Sequence, residues 1–258
     1  MKICLLGSGS KGNSTYIESR GKAIIIDQGF SFVEMKKRLE SRGLDEKKIK
    51  GILLTHEHGD HIMGVGITAR KLDIPVYATS GTFNGKKKIF NGSEILVTIN
   101  RGEEFEVGPF EILPFSVSHD AADPVQFCVH SGKKKIALAT DLGFVSTLVR
   151  HCLRDSDIVV IESNHDLEML KNGAYPWNLK QRIMSRTGHL SNRNAAEILF
   201  NILPSNGRPK IVLAHLSAEN NCSELVRKEV CELFESFDRT LPSIVIASQD
   251  EATEVLEI

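Results

Sequence analysis

Four closely spaced metal-binding side chains after a buried strand constrain this chain more than any other feature. The run 51–55 is typical of a buried strand, and it is followed by His56, His58, Asp60 and His61. His56 and His58 are two positions apart on extended chain and so point the same way, and Gly59 permits a tight turn after them. A lone His-x-His is common in surface loops, but the whole string after a strand is rare. We therefore predict that these four side chains bind metal.

The string resembles the signature of the metallo-β-lactamase superfamily, whose fold is an αββα sandwich with metals at one sheet edge. The family pattern also requires a His, an Asp and a last His, each after a strand. This sequence has His119, Asp141 and His215 after such runs. The resemblance implies that His56, His58 and His119 hold one divalent metal, that Asp60, His61 and His215 hold a second, and that Asp141 bridges them.

A bridging carboxylate suits this site because each of its oxygens can take one cation, and the pair can share a hydroxide that attacks the substrate. Many true β-lactamases have Cys where this chain has Asp141, which favours phosphodiesterase chemistry. Asp60 is expected to serve catalysis as well as metal binding. Histidine and carboxylate ligands suit Zn²⁺, Mn²⁺ or Fe, so the metal itself stays open.

Two more residues take roles from the resemblance. Asp27, after the run 23–26, matches the family's early Asp, which supports a ligand histidine by a hydrogen bond; an Asx turn into Gly29 is the alternative, and both can hold. His189 lies in a Gly-His-Leu-Ser segment that resembles part of the ribonuclease Z branch. It is expected to stabilise the transition state or protonate the leaving oxygen. The alternative is an ordinary histidine at a helix start.

Several polar or aromatic residues are candidate substrate contacts. The Gly-rich segment 7–14 offers backbone N–H groups and hydroxyls for a phosphate, although such turns are also common for steric reasons. Asn164 and His165 follow a predicted strand, 157–161, at the ligand edge. Trp177, the single Trp, could stack on a terminal base or pack in the core. The predicted contacts are Ser8, Ser10, Asn13, Asn164, His165 and Trp177.

Seven segments together resemble the YycJ (WalJ) group of the superfamily: 7–14, 55–61, 118–122, 162–166, 175–177, 188–191 and 214–217. The resemblance extends from about residue 3 to about residue 221. Members of this group are described as 5′→3′ exonucleases on double-stranded DNA with a link to mismatch repair. The implied partner is therefore a double-stranded DNA end, expected to be 5′-phosphorylated.

Two alternatives remain open. The net charge of −1 gives no global attraction to nucleic acid and suits a phosphodiesterase of small or cyclic nucleotides slightly better. A non-catalytic module stabilised by metal belongs to a different class.

Composition and patterning complete the expectation. At 258 residues and 41% hydrophobic, the chain is expected to form one domain, 1–258. Without a secretory signal, a membrane span or a Cys-x-x-Cys pair, we expect a cytoplasmic protein with reduced thiols. Strand-like runs dominate up to 138, apart from a helix capped by Ser31 and one over 60–71. Strands then alternate with helices at 178–186, 192–202 and 223–237. The pattern predicts an α/β (α+β) fold, a four-layer αββα sandwich.

Overall fold

Two seven-stranded sheets form the centre of the computed structural model, which describes residues 1–86, 89–203 and 209–258. The first sheet has the order β14-β1-β2-β3-β4-β5-β6 and the second β13-β12-β11-β10-β9-β8-β7. The strands of the first sheet are β1 (Lys2–Gly7), β2 (Ser14–Ser19), β3 (Lys22–Ile26), β4 (Ile49–Leu53), β5 (Val76–Ala78), β6 (Leu96–Thr98) and β14 (Leu256–Glu257). Those of the second are β7 (Phe105–Val107), β8 (Phe110–Ser116), β9 (Val125–Ser131), β10 (Lys134–Ala139), β11 (Ile158–Glu162), β12 (Lys210–Ala214) and β13 (Ser243–Ile246).

Helices cover the outer face of each sheet. The α-helices of the described residues are α1 (Phe32–Glu40), α2 (Gly59–Ile62), α3 (Val65–Leu72), α4 (Ser80–Gly85), α5 (Thr147–Leu153), α6 (Leu167–Asn172), α7 (Trp177–Ile183), α8 (Asn192–Ile202) and α9 (Ser223–Ser236). α1 begins at Ser31, whose side chain accepts a hydrogen bond from the Glu34 N–H, as the capping pattern predicts. Met35 and Leu39 of α1 pack on the first sheet, and Val149 of α5 packs on the second.

Successive side chains of each central strand point alternately into two apolar layers, one between the sheets and one beneath the helices. In β11, Ile158 and Val160 face the layer between the sheets, whereas Val159 and Ile161 face the helices outside the second sheet. Because both faces are covered, the strand is apolar throughout. The predicted four-layer αββα sandwich is confirmed.

The structure corrects several details of the predicted elements. The region 75–138, predicted to be strands only, contains α4, whose six residues are too few to show a helical repeat of apolar positions. The single helix predicted over 60–71 is two, α2 and α3. They are separated at Gly64, where a Cβ atom would lie 1.8 Å from the Phe30 carbonyl oxygen. The helices α5 and α6 and the strand β14 were not anticipated individually.

No helix in the described part of the chain is both long enough and apolar enough to cross a bilayer. The five cysteines are all free thiols, and Cys4, Cys128 and Cys152 are buried, in agreement with the prediction of reduced thiols.

The layer between the sheets should dominate stability. Phe127 is fully buried there. The substitution Phe127→Ala is expected to lower the free energy of unfolding by about 3–5 kcal/mol, because the cavity that it leaves between the two sheets cannot collapse. Urea denaturation measures the loss. Phe237→Ala is the matched control, since Phe237 is 62% exposed; an equal loss in both variants would contradict this account of the core.

Candidate metal centre and catalytic site

The carboxyl ends of parallel strands from both sheets meet at one edge, and polar side chains occupy that edge. β3 and β4 run parallel in the first sheet, and β10, β11 and β12 run parallel in the second. Asp27 and His215 directly follow β3 and β12, and Asp141 lies two positions after the last residue of β10. All three have left-handed backbone, with φ of 58°, 53° and 56°, a conformation that turns the chain sharply at the strand end. The turns bring side chains that are distant in sequence into one cluster.

The first candidate ligand group consists of His56, His58 and His119. His58 Nδ1 lies 3.1 Å from His56 Nε2 and 3.2 Å from His119 Nε2. Tetrahedral ligands at 2.0–2.1 Å from a zinc ion would be roughly 3.3 Å apart, so the spacing fits a shared cation. Burial, with the neighbouring imidazoles, lowers the pKa of His56, and burial lowers the pKa of His119. The neutral forms that a metal requires are therefore favoured.

The second candidate group consists of Asp60, His61 and His215. His61 Nε2 lies 3.4 Å from Asp60 Oδ2, and His215 Nε2 lies 3.8 Å from the same oxygen. Burial opposes ionisation of Asp60, but the attraction of the nearby His215 and His61 rings holds its pKa well below the usual range. The group thus presents an ionised carboxylate and two imidazoles to one point.

Asp141 lies between the two groups. One oxygen, Oδ2, is 3.5 Å from His61 Nε2, and the other, Oδ1, is 3.3 Å from His215 Nε2; it also clusters with His56. Asp141 Oδ2 and His215 Nε2 are buried and have no hydrogen-bond partner among the described residues. Unpartnered buried polar atoms are costly. Divalent cations would satisfy these atoms, so the residues present fit metal ions.

Asp27 is joined to Thr55 and His61 by three hydrogen bonds. Its Oδ1 accepts from the Thr55 N–H at 2.9 Å, and its Oδ2 accepts from the Thr55 hydroxyl at 2.7 Å. The same Oδ2 lies 2.8 Å from His61 Nδ1. Because a carboxylate only accepts, His61 carries a proton on Nδ1, and Nε2 is the ring nitrogen directed towards Asp60 and Asp141. This contact is the one that the predicted supporting role requires.

Glu162, at the end of β11, is a site residue that the sequence reasoning did not single out. It is fully buried, and its Oε1 lies 2.8 Å from His189 Nδ1 and 3.0 Å from His215 Nδ1. Its Oε2 accepts the backbone N–H groups of Leu142 and Leu190. The sequence did offer one signal for Glu162, since it is a carboxylate at the end of an otherwise apolar strand on the ligand edge.

Glu162 sets the proton positions of both histidines. Burial opposes protonation of His189, but the charge of Glu162 and its hydrogen bond raise the pKa of His189. Burial likewise opposes protonation of His215, but Asp141, Asp60 and Glu162 raise its pKa to about 10. With each Nδ1–H donated to Glu162, the Nε2 atom of each ring is directed away from it. These contacts form a hydrogen-bonded support rather than a third set of metal ligands.

His189 borders a cavity of about 180 Å³ beside the ligand groups. Its Nδ1 lies 4.0 Å from Asp141 Oδ1, and its ring stacks on that of His215 with centroids 5.2 Å apart. The backbone before it has little freedom, because a Cβ atom on Gly188 would lie 2.2 Å from the carbonyl oxygens of Arg182 and Ile183. His189 is thus held at the boundary between the candidate ligands and the cavity.

Ser8 and Asn13, predicted to contact substrate, are buried and directed into the protein. The Ser8 hydroxyl accepts the His215 N–H at 2.9 Å. The Asn13 amide lies 3.1 Å from Asp60 Oδ2 and 3.0 Å from His61 Nε2. Both side chains thus have partners among the neighbouring candidate ligand residues, and their contact with substrate stays a prediction.

The other four predicted substrate contacts divide into two pairs. Ser10 and Asn164 line the cavity beside His189, although the Asn164 amide donates to the His215 carbonyl oxygen. His165 and Trp177 are not among the residues that line it. His165 is 2% exposed, whereas Trp177 is 63% exposed at the start of α7, which excludes packing in the core. Substrate contact by these residues stays a prediction.

The comparisons with known proteins agree with this geometry. Residues 22–215 match the profile of the β-lactamase superfamily domain, so fold and site define a metal-dependent hydrolase of that superfamily. The chain is 38% identical to exodeoxyribonuclease YycJ of Bacillus anthracis over 91% of this chain and 89% of that protein. It is 36% identical to exodeoxyribonuclease WalJ of Streptococcus pneumoniae over 100% and 98% of the two chains.

The chain therefore belongs to the metallo-β-lactamase superfamily and, within it, to the family that includes YycJ and WalJ. The solved structure of the metallo-β-lactamase fold protein YhfI from Bacillus subtilis supports the fold alone. It has a TM-score of 0.74 at 16% identity and covers 99% of each chain.

Glu162→Gln tests the support of the two histidines. Losing the buried charge should lower hydrolysis roughly 10- to 100-fold and lower the pKa of His189, which the Glu162 charge raises. If His189 acts as an acid, its protonated form is then lost at a lower pH than in the wild type as the pH rises. The alkaline limb of the kcat profile should accordingly move to lower pH.

Metal content and kcat against pH measure the effect. Glu168→Gln removes an exposed carboxylate and is the matched control. An unchanged alkaline limb in the Glu162 variant would contradict a protonating His189.

Proposed function

We propose that this protein is a two-metal phosphodiesterase that acts as a 5′→3′ exonuclease on double-stranded DNA. The observation that carries the proposal is the position of His189, which is fixed by Glu162 and borders both the cavity and Asp141. The names of the relatives YycJ and WalJ, both exodeoxyribonucleases, support DNA as the substrate.

The metal ligands in this proposal are the predicted ones. His56, His58 and His119 would hold one ion, and Asp60, His61 and His215 the other, with Asp141 between them. Two divalent cations, when bound, would neutralise phosphate oxygens and supply an activated water as the nucleophile. Zn²⁺ and Mn²⁺ both suit these ligands, and Fe is a third option.

The chain's own residues prepare a proton transfer. Glu162 fixes the Nδ1 proton of His189 and favours the imidazolium, so His189 can present a second proton from Nε2 towards the cavity. A substrate oxygen leaving into the cavity would meet this proton, and the positive ring would stabilise charge on the phosphate before transfer. Asp27 holds the His61 ring through Nδ1, so this candidate ligand keeps its orientation towards the site.

A phosphodiesterase of small or cyclic nucleotides is the second candidate. The cavity of about 180 Å³ and the net charge of −1 favour it, because neither demands an extended polyanion. The metal groups and His189 would serve both reactions equally, so the substrate has to be determined by experiment.

The deciding experiment is a matrix of metals against substrates. We expect Mn²⁺- or Zn²⁺-loaded protein to release 5′-mononucleotides progressively from the 5′ end of a 5′-phosphorylated duplex and to leave cyclic nucleotides intact. Strand-specific end labels measure polarity. Failure to degrade the duplex with any divalent metal, or turnover of cyclic nucleotides alone, would overturn the exonuclease proposal.

Two substitutions separate metal binding from proton transfer. Asp141→Asn should lower both the bound metal per chain and activity, because it removes the charge between the ligand groups. His189→Gln should retain metal and lower kcat by roughly 10²- to 10⁴-fold, the usual contribution of a general acid. Elemental analysis and single-turnover kinetics measure the two effects, and loss of metal from the His189 variant would make His189 a ligand instead.

A further inference from the structure

One wall of the cavity is a face of α7. Leu179, Arg182 and Ile183 are three and four positions apart, so they share this face, and all three line the cavity. Tyr175, just before the helix, lines it too. Among the described residues that line the cavity, Arg182 is the single Lys or Arg. It places a permanent positive charge in the same cavity as His189, on a helix face that is otherwise apolar.

Asp120 holds the Arg182 guanidinium in position from one side. Arg182 Nε and Nη2 lie 2.7 Å and 2.6 Å from the same oxygen, Asp120 Oδ2. The third nitrogen, Nη1, makes no hydrogen bond to any residue in the described part of the chain. Both side chains are partly exposed, at 58% and 31%, and exposed ion pairs contribute little free energy. An anionic ligand can therefore compete with Asp120 for the guanidinium.

The backbone around this pair is fixed to the catalytic edge. The buried Lys180 ammonium donates to the carbonyl oxygens of Lys171 and Gly173 at 2.8 Å and 2.7 Å, which fastens α7 to the end of α6. At the other end of α7, Gly188 packs against the Arg182 carbonyl oxygen. The guanidinium is thus carried on a rigid support next to His189.

Asp120 is fixed as well, because it follows the candidate ligand His119 and its Oδ1 lies 3.5 Å from His119 Nε2. The ion pair therefore connects the α7 wall with the first ligand group. Asp120 belongs to neither candidate ligand group, so its carboxylate is free to orient Arg182.

We propose that Arg182 binds the phosphate group of a nucleotide in this cavity and thereby selects a nucleotide over a nucleoside. The planar guanidinium matches two phosphate oxygens at once, and Asp120 orients it until the phosphate arrives. This proposal rests on the proposed function in one respect, that the ligand is a nucleotide. It applies equally to the product of an exonuclease and to a small nucleotide substrate.

The test measures binding without hydrolysis. Calorimetric titration of Mn²⁺-loaded wild type with deoxyadenosine 5′-monophosphate and with deoxyadenosine gives the preference for the phosphate. Arg182→Gln should weaken binding of the monophosphate roughly 10- to 100-fold, as expected for a lost charge-assisted hydrogen bond, and leave the nucleoside unaffected. The matched control is Arg186→Gln, which removes the same charge from a side chain stacked on Phe144 outside the cavity; it should stay within about threefold of wild type.

Metal content of each variant is measured first, so that a loss of ions is not mistaken for a loss of the contact. Three results would overturn the proposal: equal affinity of wild type for monophosphate and nucleoside, an unchanged affinity in Arg182→Gln, or an equal loss for both ligands. Duplex degradation by wild type, measured in parallel, reports on the proposed function alone. A protein that fails to degrade DNA can still show the Arg182 effect.

Discussion

Compensation of buried charge is the constraint on which the rest of this structure depends. Asp27, Asp141 and Glu162 are buried at one sheet edge together with four imidazoles, those of His56, His61, His119 and His215. Isolated carboxylates at such a place would be prohibitively costly. Asp27 and Glu162 are compensated by protein donors, each accepting from at least one histidine and at least one backbone N–H. Asp141 is the exception, and its unpartnered Oδ2 is where the fold leaves charge for a metal.

Histidine tautomers follow from the same compensation. Asp27 accepts a hydrogen bond from the Nδ1–H of His61, and Glu162 accepts hydrogen bonds from the Nδ1–H groups of His189 and His215. Each carboxylate therefore leaves an Nε2 atom directed into the site, as a lone pair or as a second acid. Asp27 and Glu162 therefore determine which ring nitrogen of each histidine faces the site, without having to contact metal or substrate themselves.

The clustering of the candidate ligands was predictable because they follow strands. Parallel strands end at a common edge, so His119, Asp141 and His215 could be placed beside His56 from order and spacing together with the family resemblance. Glu162 was missed because its role depends on which histidines face it, and those come from segments 27 and 53 positions away. Ser8 and Asn13 were predicted to contact substrate because the sequence shows hydroxyl and amide groups in a Gly-rich loop. Their contacts with His215, Asp60 and His61 could not be predicted, because they depend on how distant segments pack together.

The left-handed backbone at Asp27, Asp141 and His215 has a consequence for how this fold can change. Aspartate tolerates that conformation through local hydrogen bonds, but for histidine it is unfavourable by roughly 1–2 kcal/mol. Glycine at position 215 would remove that backbone strain, but the site would lose one imidazole. The fold therefore gives up some stability at this turn to keep the imidazole in the site. In a relative without hydrolytic activity, position 215 would be the first at which glycine could replace histidine.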